Sequence, residues 1–546
     1  MPVRDTPSIR VRDLPLSWFD RRHYRPRARG AAGDSWFLLS PAFRPPESVP
    51  PDPPAEPIGG RAALRAAFEE TCRRWGLPLE AAARRSLQVL GEEGTAAIVA
   101  GQQPGFLGGP LMSLYKALTA VAAARAYRAL TGRPCAPVFW VAAEDHDLEE
   151  VREAHVPGPG PEGVSFRYPL EPDRRPLSDY PMDAGALAVL ERAEEHLARR
   201  RHGEEARELL ELYRSRDFAG GFAAILAALL GRAGLLVLDP ACVRRQAADL
   251  FRAVVEHPAE VLACVERGRR DVRERGIEPL VAGRLPLFAL LDGKRHHLAV
   301  GPFGLEVDGA GERLSRERLL GLLAADPPAL SAGALLRPLI QQAVLPCALA
   351  IGGPAEVGYF AQLGPLADFL GVARPRAALR LTATLVDGKP ARLAASLSLE
   401  RIASAQAPED LLEPEAGAPG LAELQGLAPR VEEALLGAAR GVEDGEDAAK
   451  LRARAAEIRA ALERFAELAD RAHRRRRTAE LALARKLWDA VFPAGELQER
   501  RWSTIHFVAK HGTAWIDELL GAIEPDPLRL AHRWVLFEAP GASPEK

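Results

Sequence analysis

Residues 96–130 read AAIVAGQQPGFLGGPLMSLYKALTAVAAARAYRAL, and residues 137–147 read PVFWVAAEDHD. Ala96–Ala100 is a short apolar run of the kind that fills a buried strand. The glycine-rich loop GQQPGFLGG follows. Pro110 then stands at the first turn of a helix, where its missing N–H is no loss. That helix runs to Leu130 and stops at Thr131-Gly132. Residues 137–143 form a second apolar strand, and Glu144-Asp145-His146-Asp147 comes directly after it. Strand, loop, helix, strand is a βαβ unit, which implies parallel strands and a right-handed crossover. The expected class is α/β.

Outward from this unit, helical patterns lie at 61–75 and 79–91. Residues 1–60 are rich in Pro and Arg, with Trp18, Phe19, Tyr24, Trp36 and Phe37 among them. They form an N-terminal arm, in which the proline run at 46–57 excludes helix and reads as an extended linker over a surface. Downstream, 158–183 is loop-rich, helices follow at 185–214 and 217–232, and GLLVLD at 234–239 is a third core strand. Residues 241–276 look helical, and 281–310 hold hairpin-like strands with Asp-Gly turns. A second glycine unit spans 344–370: a strand VLPCALAI, the turn Gly352-Gly353-Pro354, and the helical run AEVGYFAQLGPLADFL. Gly108-Gly109-Pro110 precedes Tyr115 with the offset by which Gly352-Gly353-Pro354 precedes Tyr359. One reading is two helix N-termini facing a single crevice, each able to receive an anion. Two ordinary βα turns explain the echo equally well.

The C-terminal third changes character. Residues 405–420 read as linker and 421–441 as helix. From Leu451 the apolar or small positions Ala455, Ile458, Leu462, Phe465, Ala469 and Ala472 are spaced four and three apart, resuming at Ala479 and Leu483. That is a heptad seam, favouring a coiled coil over a helix lying on its own core. The last stretch, 497–538, mixes helix with a terminal strand, RWVLFE. The resulting division is an arm and first half of the core at 1–157, a mostly helical connecting insertion at 158–216, and the second half of the core at 217–404. A linker and helical coiled coil then fill 405–496, and 497–546 packs back on the core.

Composition narrows the function classes. The chain has 546 residues, 47% hydrophobic and 27% charged, with a formal net charge of −2. These are globular values, and the charge gives no electrostatic case for nucleic acid or an anionic membrane. No run reaches the roughly 20 apolar residues of a membrane span. The N-terminus lacks a secretory apolar core. The five cysteines are scattered and never form C-x-x-C, so a disulfide framework or cysteine-rich zinc site is not expected, and a reducing cytoplasm is.

Three constellations carry chemistry. In the first, Gly101 and Gly105 let backbone approach a ligand, Gln102 and Gln103 bring amides that donate and accept, and Tyr115 and Lys116 follow on the helix. The plain alternative is a tight turn with solvated glutamines and a surface lysine. In the second, Glu144, Asp145, His146 and Asp147 stand at the carboxyl end of a strand, where open α/β sheets bind ligands. Continued extension would put Glu144 and His146 on one side and Asp145 and Asp147 on the other. His146 would serve as acid or base, and the carboxylates would hold an amine or Mg²⁺; a polar helix cap is the alternative. The third is Arg337-Pro338 with Gln341, then Gly352, Gly353, Glu356 and Tyr359. An arginine fixed by a following proline suits a carboxylate or phosphate, or a surface ion pair. His296, His297, His506, His511 and His532 lack metal-ligand spacing and read as structural. Cys135 and Cys347 read as core thiols.

GQQPGFLGGPLMSLYKA, PVFWVAAEDHDLEEV, GLLVLDP, LLRPLIQQAVLP and IGGPAEVGYFAQL, in that order, resemble the BshC family of cysteine ligases in bacillithiol biosynthesis. The resemblance spans residues 95–375. It implies a Rossmann-like parallel-sheet core with inserted connecting segments, a C-terminal helical coiled-coil domain, and a homodimer formed through it. It also implies the last pathway step, in which L-cysteine is joined to the amine of glucosaminyl malate. By analogy with the cysteine ligase of mycothiol synthesis, ATP, with Mg²⁺, would activate the cysteine carboxyl. No cysteine-binding zinc site is evident, and Ala332-Gly333-Ala334 and Ala355 depart from the family pattern. Amide formation needs an activated acyl group, a free amine, a base, and cations or dipoles for the released phosphate. The helix N-termini would hold phosphates, the acidic block the amine, and Arg337 the malyl carboxylates. Two other classes stay open: a non-catalytic nucleotide- or ligand-binding scaffold, and a nucleotide-sugar transferase.

Overall fold

In the computed structural model, the first unit consists of β1 (Ala96–Gln102), α1 (Leu111–Thr131) and β2 (Cys135–Val141). β1 and β2 run parallel in unbroken register from Ala96 opposite Cys135 to Gln102 opposite Val141. With β3 (Leu236–Leu238), β4 (Cys347–Gly352) and β5 (Ala377–Leu379) they form one sheet in the order β5-β4-β1-β2-β3, every pairing parallel. The chain therefore winds outward from β1 in one direction, returns, and winds outward in the other. That places a topological switch point between β1 and β4, where a doubly wound sheet opens a crevice at its carboxyl edge. α1 is buried almost all round, and its small residues Ala117, Ala120 and Ala122–Ala124 let it lie close to β1 and β2.

The described residues are 9–15 and 54–537, apart from 159, 276–278, 302–303, 309–311, 326–328, 399–400, 402–404, 406, 413–419, 439, 441 and 443–444. The arm aromatics Trp18, Phe19, Tyr24, Trp36 and Phe37, and most of the proline linker, lie outside them. Two compact units emerge: 1–385 with 492–546, and 386–491. Within the first unit, Ile9–Pro15 is a strand. It pairs antiparallel with Ala531–Phe537, from Ile9 opposite Phe537 to Pro15 opposite Ala531. Thr382–Val386 lies on the other side of Ala531–Phe537. A second, four-stranded antiparallel sheet orders Leu330–Ala332, Leu287–Leu291, Lys294–Gly301 and Gly304–Val307. Its tight turn is Asp292-Gly293, both at positive φ (50° and 72°), the hairpin geometry that the Asp-Gly pair favours.

Several expected helices are interrupted. The 185–214 run splits into Ala184–Ala198 and Gly203–Glu211. The helix after β4 splits into α2 (Pro354–Phe360) and Gly364–Leu370, because Pro365 begins a new first turn. In the second unit, α3 (Leu421–Ala438) packs along α4 (Glu446–Val491), and Arg459 of α4 bonds Glu432 of α3 at 2.7 Å. Ala448, Ala455 and Ala466 are buried, whereas Leu451, Ile458, Phe465 and Leu468 remain exposed. No helix among the described residues is long and apolar enough to cross a membrane.

Candidate functional site

A cavity of about 640 Å³ lies at the carboxyl edge of the parallel sheet. The end of β1 supplies Gln102 and Gln103, α1 supplies Met112 and Lys116, and the loop after β2 supplies Glu144, Asp145, His146, Asp147 and Glu150. The antiparallel sheet adds Phe288 and Arg295. Arg337, Gly353, Glu356 and Tyr359 come from around β4, Arg380 directly follows β5, and Arg500 comes from the C-terminal segment. Ala332-Gly333-Ala334 and Ala355 line it too.

Lys116 is the hub of one side. Its Nζ donates to Gly101 O and Gln102 Oε1, each at 2.7 Å, and pairs with Glu356. Burial lowers the Lys116 ammonium below its usual range, with Glu356 opposing the shift. Burial would raise the Glu356 carboxyl, but Lys116 and Arg337 outweigh it and hold it low. Arg337 Nη2 donates to Tyr359 Oη at 2.7 Å, while its buried Nε has no hydrogen-bond partner among the described residues. Burial pushes the Tyr359 phenol up to about 12, so it keeps a proton to donate.

The other side is acidic. The chain turns at residues 143–144 rather than continuing extended, because Ala143 N–H bonds Val141 O at 2.6 Å and Asp145 N–H bonds Ala142 O at 3.2 Å. The alternating faces expected for Glu144 through Asp147 are therefore lost, and all four line the same cavity. Glu144 pairs with Arg244. Asp145 accepts the His146 backbone N–H at 2.7 Å, Arg295 Nη1 at 3.1 Å and Gln103 Nε2 at 3.0 Å. Burial alone would raise the Asp145 carboxyl, but contacts from His146 and the Arg295 guanidinium prevail and hold it well below the usual range. Asp147 caps the short helix Leu148–Val151 through the Glu150 N–H. Glu150 also accepts from Gln103 Nε2 at 3.2 Å.

Some expected site residues do not reach the cavity. Tyr115 is fully buried in the core, since successive helical residues point about 100° apart and Lys116 takes the cavity side. Gly101 contributes its carbonyl to Lys116, and Gln341 packs beside it. Gly352 ends β4 and accepts the Arg380 N–H at 2.9 Å. Gly105 belongs to the closed half of its loop. Its carbonyl accepts from Tyr213 Oη at 3.1 Å, and Ser503 Oγ bonds Leu107 O at 2.9 Å. A Cβ on Gly105 would lie 2.6 Å from Gly109 Cα, so close backbone approach explains the glycine without a ligand. Gly105→Ala is expected to cost about 1–3 kcal/mol, read as a lower urea midpoint at unchanged slope.

At each of the two helix N-termini one backbone N–H is taken from within. Leu111 N–H bonds Trp502 O at 3.0 Å, and Gly353 N–H bonds Glu356 Oε2 at 2.9 Å. Side-chain cations, Lys116, Arg295, Arg337, Arg380 and Arg500, also line the cavity. Sequence reading passed over Arg295, Arg244, Arg380, Arg500 and Phe288. Arg244 had a signal: it follows closely on the third core strand, as His146 does on the second. Arg295 sits beside His296 and His297, which drew attention instead. His297 bonds Asp308 at 3.0 Å and Leu285 O at 2.7 Å, and His532 bridges Thr382 and Thr384, both structural arrangements. Among the described residues no group of three His, Cys, Asp or Glu is placed to hold a metal ion.

Comparison with known proteins fits this architecture. Residues 53–381 match the family described as "Bacillithiol biosynthesis BshC, N-terminal Rossmann-like domain". Residues 446–536 match "Bacillithiol biosynthesis BshC, C-terminal coiled-coil domain". A Koribacter versatilis protein named "Putative cysteine ligase BshC" is 34% identical over 469 residues, 79% of this chain and 82% of that protein. Proteins of the same name from Salinibacter ruber and Geobacillus thermodenitrificans are each 30% identical. The first aligns over 83% of this chain and 85% of its own length, the second over 82% and 85%. With a Rossmann-like sheet, a switch-point cavity and a long C-terminal helix already in place, these matches show that the chain belongs to the BshC family of bacillithiol biosynthesis.

Proposed function

We propose that this chain is a cysteine ligase that forms an amide between the carboxyl of L-cysteine and the amine of glucosaminyl malate, with ATP activating the carboxyl. The observation that carries this reading is the cavity's polarity. One side presents Arg337, Lys116, Arg380 and Arg500, with Glu356 among them. The other presents Glu144, Asp145, Asp147 and Glu150, with Arg295 among them. Such a site suits an anionic and a cationic reactant held face to face, which is what positioning catalysis requires.

The cationic side fits nucleotide phosphate and malyl carboxylates, and the unpartnered Nε of Arg337 is a donor awaiting an acceptor. ATP would supply the adenylyl or phosphoryl group that activates the cysteine carboxyl, releasing pyrophosphate or ADP, and Mg²⁺ would enter with its phosphates. On the acidic side the carboxylates orient the sugar amine, and His146 or a carboxylate takes its proton. Amine attack forms the C–N bond and expels the phosphate-bearing leaving group from the cysteinyl carbonyl.

Purified protein given cysteine, glucosaminyl malate and ATP should yield the amide, detected by mass spectrometry. Binding of all three without product would favour the scaffold reading instead.

The exposed stripe Leu451, Ile458, Phe465 and Leu468 on α4 supports a homodimer through the second unit. Replacing Leu462 and Phe465 together with Glu should halve the mass seen by light scattering. An unchanged dimer would move the interface elsewhere.

A further inference from the structure

We propose that Arg295 holds His146 as the neutral tautomer with its proton on Nε2, so that His146 donates a hydrogen bond into the cavity and is not the base. The inference rests on the ligase reading above and assigns one role within it.

A guanidinium has five N–H donors and no acceptor. Arg295 Nη1 lies 3.1 Å from His146 Nδ1. That contact is a hydrogen bond only if Nδ1 offers its lone pair, and the ring proton of the neutral imidazole then sits on Nε2. Arg295 is not free to move away. Its Nε bonds Ser331 Oγ at 3.0 Å and its Nη2 bonds Ala332 O at 2.7 Å. The guanidinium carbon stands 3.7 Å over the centre of the Phe288 ring, and the side chain is 6% exposed.

The competing acceptor for an Nδ1 proton is Asp145. Its Oδ1 is 3.5 Å from His146 Nδ1, farther than Arg295. That oxygen already receives the His146 backbone N–H and Arg295, and Oδ2 receives Gln103. In a Ser-His-Asp arrangement the carboxylate accepts from Nδ1–H, leaving the far nitrogen as base. Here an Asp again stands beside a His, but an arginine occupies the orienting position and the order of donor and acceptor is reversed.

In the ligase reaction the amine lone pair forms the C–N bond while the carbonyl electron pair moves to oxygen. Nε2–H of His146 serves that oxyanion, or a leaving phosphate oxygen, as a preorganised donor. The amine's proton goes to the acidic side. Glu144 and Asp145 are tied to arginines there, whereas Asp147 accepts from the Glu150 backbone N–H and Glu150 accepts from Gln103 Nε2.

Long-range proton–nitrogen NMR on the full-length protein labelled with ¹⁵N-histidine reads the tautomer directly, at a pH where the imidazole is neutral. His146 is assigned by the signal lost in His146→Gln. A protonated Nε2 and bare Nδ1 are expected; a protonated Nδ1 would overturn the proposal. In Arg295→Met the tautomer should switch toward Nδ1–H facing Asp145. A folded Arg295→Met that keeps the Nε2–H form would remove Arg295 from the role. Should that variant not fold, kinetics decide alongside the wild-type spectrum. Gln can place an N–H near the Nε2 position, so His146→Gln should stay within about tenfold of wild type while His146→Ala loses about 10²–10³-fold. Equal losses would make His146 the base after all. Absence of any product from wild-type protein would defeat the ligase reading, and the spectrum would still decide the tautomer.

Discussion

Lys116→Met is expected to destabilise the protein by about 3 kcal/mol, near the lower end of the range for breaking a buried ion pair. Lys116 is 3% exposed and satisfies Gly101 O, Gln102 Oε1 and the Glu356 carboxylate at once. Methionine fills similar space but leaves that carboxylate with Arg337, 3.7 Å away, and the Gly353 N–H. Retention of these partners is why the lower end applies. The pH dependence follows from Glu356, whose folded carboxyl is held below its ordinary range. A depressed carboxylate contributes stability that is present above the unfolded value and lost as pH falls through the folded one. The gap between wild type and Lys116→Met should therefore narrow on acidification below about pH 4. Urea titrations at neutral and acid pH provide the check. A gap independent of pH would mean the loss is packing alone. A double-mutant cycle with Glu356→Gln should show coupling of about 0.5–3 kcal/mol.

The central unit was legible in sequence because its signals are local. Ala96–Ala100 is an apolar run, Pro110 and Gly132 bracket a helix, and the acidic block follows a strand at the edge where ligands bind. The βαβ order implied parallel strands and the heptad seam a coiled coil, and the family resemblance agreed with both. Hidden features were those set by distant partners. The alternation Ile9-Arg10-Val11-Arg12 is a strand pattern, but it stabilises a strand only beside Ala531–Phe537, more than 500 positions away along the chain. The closed half of the glycine loop depends on Trp502, Ser503 and Tyr213, none of which its own sequence announces. Arg295 reaches His146 only because the antiparallel hairpin folds over the cavity. Glycines in a βα turn fit a phosphate cradle and a tight backbone crossing alike, and only the structure separates Gly105 from Gly353.

Glu499→Ala should destabilise the first unit by about 3–5 kcal/mol, because a buried ion pair with Arg380 and a backbone acceptor would both be lost. Glu499 is 0% exposed. Its Oε1 accepts from Arg380 Nη2 at 2.7 Å and its Oε2 from the Ala383 N–H at 2.9 Å. The neighbouring Gln498 repeats the device, accepting from the Leu385 N–H and donating to Leu385 O, each at 2.8 Å. Two adjacent side chains thus act as a substitute strand for Thr382–Val386, satisfying backbone groups that burial would otherwise leave costly. Loss of Glu499 removes both an ion pair and a backbone acceptor. Burial would raise the Glu499 carboxyl, but the Arg380 charge and hydrogen bond, His532 and the Ala383 N–H together hold it low. Its contribution is therefore complete above the ordinary glutamate value of about 4.3 and lost as pH falls below it. Wild type should lose stability through that acid range more steeply than Glu499→Gln, which cannot titrate. Arg380 also borders the cavity, so a released guanidinium would disturb the cationic side. Turnover per folded molecule should fall in Glu499→Gln even where the protein remains folded. Normal turnover there, with parallel acid profiles for the two proteins, would confine Glu499 to packing and separate the C-terminal segment from the site.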